Sequence, residues 1–153
     1  MTDATTGYDQ AETPTPAADL QALGARLLGA WRVTGGAEGT IRYEWMEGGF
    51  FLIQHVEFEQ YGQQIKGMEL IGHLRPFGEP PSPDIHSRFY DTTGNTLDYV
   101  YELDGDTLTI WGGEKGSPAY FRGTFSADGD TLTGEWVYPG GGGYQSTSTR
   151  LDG

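Results

Sequence analysis

The hexapeptide DGDTLT occurs at residues 104–109 and again at 128–133, and TTGNTL at 92–97 carries the same chemistry. An Asp-Gly or Gly-Asn step between two alternating runs is the strongest short hairpin signal, because glycine accepts positive φ at no steric cost. A calcium loop would instead need alternating carboxylates ahead of its glycine and a distal glutamate. DGDTLT places glycine second and has no Glu at the twelfth position, so it reads as a turn. The spacings, 24 and about 11 residues, are too uneven for a repeat array. They fit successive corners of an antiparallel meander.

Runs enriched in β-branched and aromatic residues lie between such corners. They predict strands over 30–35, 39–46, 49–60, 64–75, 85–91, 96–103, 107–112, 119–126, 131–138 and 144–151. The stretch 75–85, RPFGEPPSPDI, has four prolines and reads as a stiff loop. The one helical signal precedes all of these. In TPAADLQALGARLLG, Thr15 suits a cap, Pro16 suits the first turn, and Leu20, Leu23 and Leu27 recur at helical spacing. This predicts a single short helix over 16–28. Residues 1–14 are mostly Thr, Ala, Asp, Pro and Gln and predict a disordered tail, leaving one domain over 15–153. So many consecutive strands must hide their edges. The expectation is an all-β, single antiparallel up-and-down β-barrel of eight to ten strands with one short N-terminal helix.

Composition narrows the chemistry. There is no cysteine, which excludes disulfides, thiolate metal sites and cysteine nucleophiles and fits a cytoplasmic location. The first residues, MTDATTGYDQ, have no basic or apolar region of a secretory signal. No apolar run is long enough to span a membrane as a helix. The net charge of −13 repels phosphate backbones and anionic lipid, so neither nucleic acid nor membrane is an expected partner. A monomer or homodimer binding a small hydrophobic molecule is expected.

Period-two reading assigns the faces. Leu97, Tyr99, Tyr101 and Leu103 share one face, opposite Asp98 and Glu102. Leu132, Trp136 and Tyr138 share another, as do Ile41, Tyr43 and Trp45. In the 49–75 hairpin, a two-residue turn at Tyr61 and Gly62 pairs Phe58 with Ile65 and Glu57 with Lys66. Phe50, Leu52, Gln54, Val56, Glu69 and His73 then point inward. Tyrosine is a poor residue for positive φ, and a shift by one would bring His55 in place of Gln54. Glu69 and His73 keep one face in both registers. They lie about 13 Å apart along the strand and would flank a ligand rather than touch.

Specific catalytic motifs are absent. No G-x-S-x-G accompanies Ser146 or Ser148. His55 and Glu57, with His73 or His86, make a weak zinc set. The PGGGGY run at 139–144 lacks the context of a phosphate loop and reads as a hairpin loop.

The stretch from Gly29 to the end resembles the DUF1579-type family of bacterial calycin-like barrels, relatives of lipocalins and fatty-acid-binding proteins. The residues that carry the resemblance are GAW at 29–31, YEWMEGGFFL at 43–52, GMELIG at 67–72, FYD at 89–91, FRGTFS at 121–126, GEW at 134–136 and TR at 149–150. In calycins an early tryptophan pairs with a late arginine, so the resemblance implies that Arg150 covers Trp31 and closes the barrel base. Nitrobindin-like calycins bind haem through a histidine near the C-terminus. This chain has none after His86, which disfavours haem, and no cofactor is expected.

Three functions stay open at this point. The first is a binding protein whose lumen holds an apolar or aromatic molecule through Tyr43, Gln54, Glu69, His73, Tyr99, Tyr101, Trp136 and Tyr138. The second is a cofactor-free isomerase or cyclase using the same lumen. Glu69 would act as acid or base, and Tyr99 or Tyr101 would donate a hydrogen bond to a developing oxyanion. The third is a filled barrel serving as an interaction module. Either active case expects a lid in the proline loop 75–85 or the helix 16–28.

Overall fold

A computed structural model describes residues 13–151. The tail expected over 1–14 lies, up to residue 12, outside the described residues. A helix, α1 (Ala18–Leu27), precedes ten strands: β1 (Gly29–Gly35), β2 (Glu38–Trp45), β3 (Leu52–Gln60), β4 (Gln63–His73), β5 (Ile85–Asp91), β6 (Thr96–Asp104), β7 (Thr107–Gly112), β8 (Tyr120–Phe125), β9 (Thr131–Val137) and β10 (Tyr144–Arg150). Each strand pairs antiparallel with its chain neighbours, and β1 pairs with both β2 and β10. The sheet is a closed ten-stranded barrel and so has no free edge. This is the all-β, calycin-like fold expected from the sequence. Among the described residues no helix is long and apolar enough to cross a membrane.

The β3–β4 hairpin takes the first of the two registers left open above. Phe58 lies opposite Ile65, Glu57 opposite Lys66 and Gln54 opposite Glu69. Tyr61 adopts φ 53° and Gly62 φ 75°, so a tyrosine does occupy a left-handed turn position. Gln54 therefore faces inward. His55 faces outward, 2.7 Å from Glu44 on β2. Two smaller expectations are corrected. Strand β3 begins at Leu52, and Phe50 lies in the preceding turn, partly exposed, rather than on the inner face. The residue before α1 is Ala17, with no side-chain cap, so Thr15 does not cap the helix.

The helix is placed where its apolar stripe can be buried. Leu20, Leu23 and Leu27 pack with Trp31 and Phe125 across one end of the barrel. Gly24 lets the helix approach Trp45 of β2: a Cβ there would stand 2.2 Å from the indole Cζ2. The Trp31 indole N–H donates to Leu27 O at 2.8 Å. The Arg150 guanidinium stacks over the Trp31 ring and donates to Leu28 O at 2.6 Å and Arg26 O at 3.0 Å. Geometrically, then, Trp31 and Arg150 seal the base as the resemblance implies. The loops 46–51, 74–84, 105–106 and 126–130 lie at this sealed end. The opposite mouth is ringed by the turns at 36–37, 61–62, 92–95 and 113–119 and by the glycine loop 138–143.

Candidate functional site

Strand alternation sends one residue in two into the barrel, and these side chains do not fill it. They leave a cavity of about 250 Å³ reaching from mid-barrel to the mouth. Tyr43, Gln54, Glu69, Tyr99, Tyr101, Trp136 and Tyr138, all expected as ligand-binding residues, line it. His73, expected with them, does not. It has the inward parity of Glu69, but it ends β4 at the sealed base. There its ring bridges the Ser82 carbonyl at 2.7 Å and the Asp19 carboxylate of α1 at 2.8 Å. Its observed contacts tie the helix and the proline loop to the barrel. Because that loop and α1 are at the sealed end, neither covers the mouth, and the lid expectation fails on topology.

A polar cluster lies at mid-barrel, where β2, β3, β4 and β6 each contribute one residue and β5 adds a fifth. Tyr101 of β6 donates its hydroxyl to Glu69 Oε2 of β4 at 2.8 Å. Gln54 Nε2 of β3 donates to the Tyr43 hydroxyl of β2 at 2.9 Å. All four residues are buried. On β5, the inward-facing Ser87 lies near the Glu69 carboxyl but outside hydrogen-bond geometry. Among the described residues, its Oγ is the buried side-chain polar atom with no partner. Period two along IHSRFYD would have put Ser87 and Phe89 on the inner face.

Burial dominates the electrostatics. It raises the Glu69 carboxyl to about 7, although the Ser87 and Tyr101 hydroxyls pull it part of the way back. Burial, with Glu69 adding to it, pushes the Tyr43, Tyr99 and Tyr101 phenols well above the usual range. These phenols stay protonated and able to donate hydrogen bonds throughout the physiological range. Toward the mouth the walls become aromatic. Trp136 sits 5.9 Å from Tyr99 and 5.5 Å from Phe121 in tilted contacts, and stacks on Tyr138 at 6.1 Å.

The site can therefore do two things. It can bury an apolar body against rings, and it can offer a carboxyl of near-neutral pKa beside a phenol donor. Among the described residues no group of three or more His, Cys, Asp or Glu side chains is arranged to hold a metal ion. No protein-family model matches this chain, and no curated protein matches it.

Proposed function

We propose that the barrel is a container for one small molecule, taken up through the mouth, with its apolar body against the rings and its polar end at the Glu69 cluster. We also propose that the chain is kin to the DUF1579-type barrels it resembles. The observation that supports the container reading is the unfilled lumen with a single polar cluster at mid-barrel. Small-molecule sites share this form: mostly apolar walls, with a few placed polar groups that fix orientation. The test is titration with the neutral fluorophore N-phenyl-1-naphthylamine. One-to-one binding that quenches tryptophan emission supports a container. A protein that leaves the fluorophore dark at every concentration is a filled barrel in function.

A second reading, catalysis on the contained molecule, is favoured by one observation. The Glu69 carboxyl, raised to about 7, accepts a hydrogen bond from Tyr101 at 2.8 Å, a pairing suited to proton transfer near neutral pH. Catalysis expects Glu69→Gln to keep the ligand and lose turnover. A carrier has no turnover to lose.

A further inference from the structure

Among the described residues that line the lumen, Glu69 is the one that carries a formal charge, and none is Lys, Arg or His. Among the described residues no basic side chain pairs with Glu69, and several are engaged elsewhere. Lys66 pairs with Glu57, Arg88 with Asp98 and Lys115 with Glu102 on the outer surface, and Arg26 and Arg150 work at the sealed base. The carboxylate thus has no cationic partner among the described residues. Its recorded hydrogen bond comes from the neutral Tyr101 hydroxyl. The Gln54 amide donates to Tyr43, and the Ser87 hydroxyl lies beside the carboxyl without completing a hydrogen bond. A buried carboxylate satisfied this thinly is costly, and a cation placed against it removes most of the cost.

The surroundings suit such a cation. Tyr43, Phe89, Tyr99, Tyr101, Phe121 and Trp136 present rings to the cavity. Ring faces attract ammonium groups within about 6 Å of their centres, most strongly where water is excluded. An anionic ligand meets the opposite conditions. It would bring a second negative charge to Glu69, with no base to receive it. The net charge of −13 also repels anions at the mouth and gathers cations there.

We propose that the lumen selects a monocationic amine with an apolar or aromatic body, its ammonium group against the Glu69 carboxylate and ringed by aromatic side chains. This rests on the container reading above. The cavity, about 250 Å³, is slightly below the ~300 Å³ low end of drug-sized pockets, so the body is at most two or three rings or a short alkyl chain.

The experiment is calorimetric titration at pH 8 with two matched sets of probes. One is tryptamine, 3-ethylindole and indole-3-propionate; the other is octylamine, octanol and octanoate. In each set the body is similar and the head is cationic, neutral or anionic. In whichever set binds, the amine is expected to bind at least tenfold tighter than the neutral compound, and the anion weakest. Glu69→Gln, which can still accept the Tyr101 hydrogen bond, is expected to bring the amine down to the neutral compound. The wild-type series stands without this variant, should the variant fail to fold. A neutral or anionic probe that equals the amine overturns the amine assignment, and so does a preference unchanged in Glu69→Gln. Binding of N-phenyl-1-naphthylamine alone overturns it as well and leaves the container standing. If that fluorophore also fails to bind, the container reading falls, and the amine with it.

Discussion

The guanidinium carbon of Arg150 sits 4.3 Å from the centre of the Trp31 ring, joining the last strand to the first. The two residues lie directly opposite each other in the β1–β10 ladder. The same guanidinium donates to the carbonyls of Arg26, Leu28 and Gly129 and pairs with Asp130. Helix end, first strand and the β8–β9 turn thus meet on one planar group. Arg150→Ala leaves those carbonyls without their donor and uncovers the indole, and is expected to cost about 3 kcal/mol. Arg150→Lys should recover less than half of it, because an ammonium cannot fork to several acceptors. The urea midpoint at constant m-value reads both. A loss within about 0.5 kcal/mol for Arg150→Ala would mean the base is held by leucine packing alone.

Gly24 and Trp45 predict a reversal of the usual helix rule. At an open helical site Gly→Ala gains about 1 kcal/mol. Here the new methyl would lie 2.2 Å from the Trp45 ring, so either helix or indole must move. The expected net loss is about 2 kcal/mol. In a Trp45→Leu background the clash is gone, and Gly24→Ala should be neutral or stabilising there. A double-mutant cycle gives the coupling. Equal losses in the two backgrounds would exclude the contact as the cause.

Much of this architecture is legible in local chemistry. Glycine turns and period-two runs locate all ten strands to within a few residues, because each strand has one wet and one dry face. The inward placement of Tyr43, Tyr99, Tyr101 and Trp136 follows from the same alternation. His73 marks the limit of that logic. Parity says which face a side chain takes, while its height along the barrel decides whether it meets the lumen or the plug. Height depends on stagger between strands, which is a global property of closure. The lid expectation failed for the same reason, since a proline-rich loop does not announce which end of the barrel it closes. Whether the rings fill or line the barrel depends on volumes summed over ten strands, and no single stretch of sequence carries that sum.

Tyr61 offers a prediction of opposite sign to the first two. It is the one non-glycine among the described residues with positive φ, at 53°, and it is 76% exposed. A left-handed conformation costs a tyrosine roughly 1–2 kcal/mol, and Asn-Gly is the preferred pair for this hairpin turn. Tyr61→Asn is expected to stabilise the protein by about 1 kcal/mol, read from the shift in thermal midpoint. A lowered midpoint would show that the ring contributes to the mouth more than the backbone loses.

Glu69 gives the barrel a stability that depends on pH in a direction unusual for a carboxylate. Facing it are Tyr43 from β2, Gln54 from β3, Ser87 from β5, and Tyr99 and Tyr101 from β6, none of them charged near neutrality. Its folded pKa, about 7, lies above the ordinary value of 4.5. Between those two values the folded state holds a proton that the unfolded state has released. By linkage, stability then falls as pH rises through that window. The contribution is fully present below about pH 4.5, and the loss, about 3 kcal/mol, is complete somewhat above pH 7. Glu69→Gln has no proton to lose, so the variant should match wild type near pH 4.5 and exceed it near pH 8. A saturating cationic ligand should shrink the wild-type loss, because it favours the ionised form. Urea denaturation from pH 4 to 9, with and without tryptamine, measures all three. If wild type and Glu69→Gln run parallel across the window, the carboxylate is solvated through the open mouth, and burial is not what sets its chemistry.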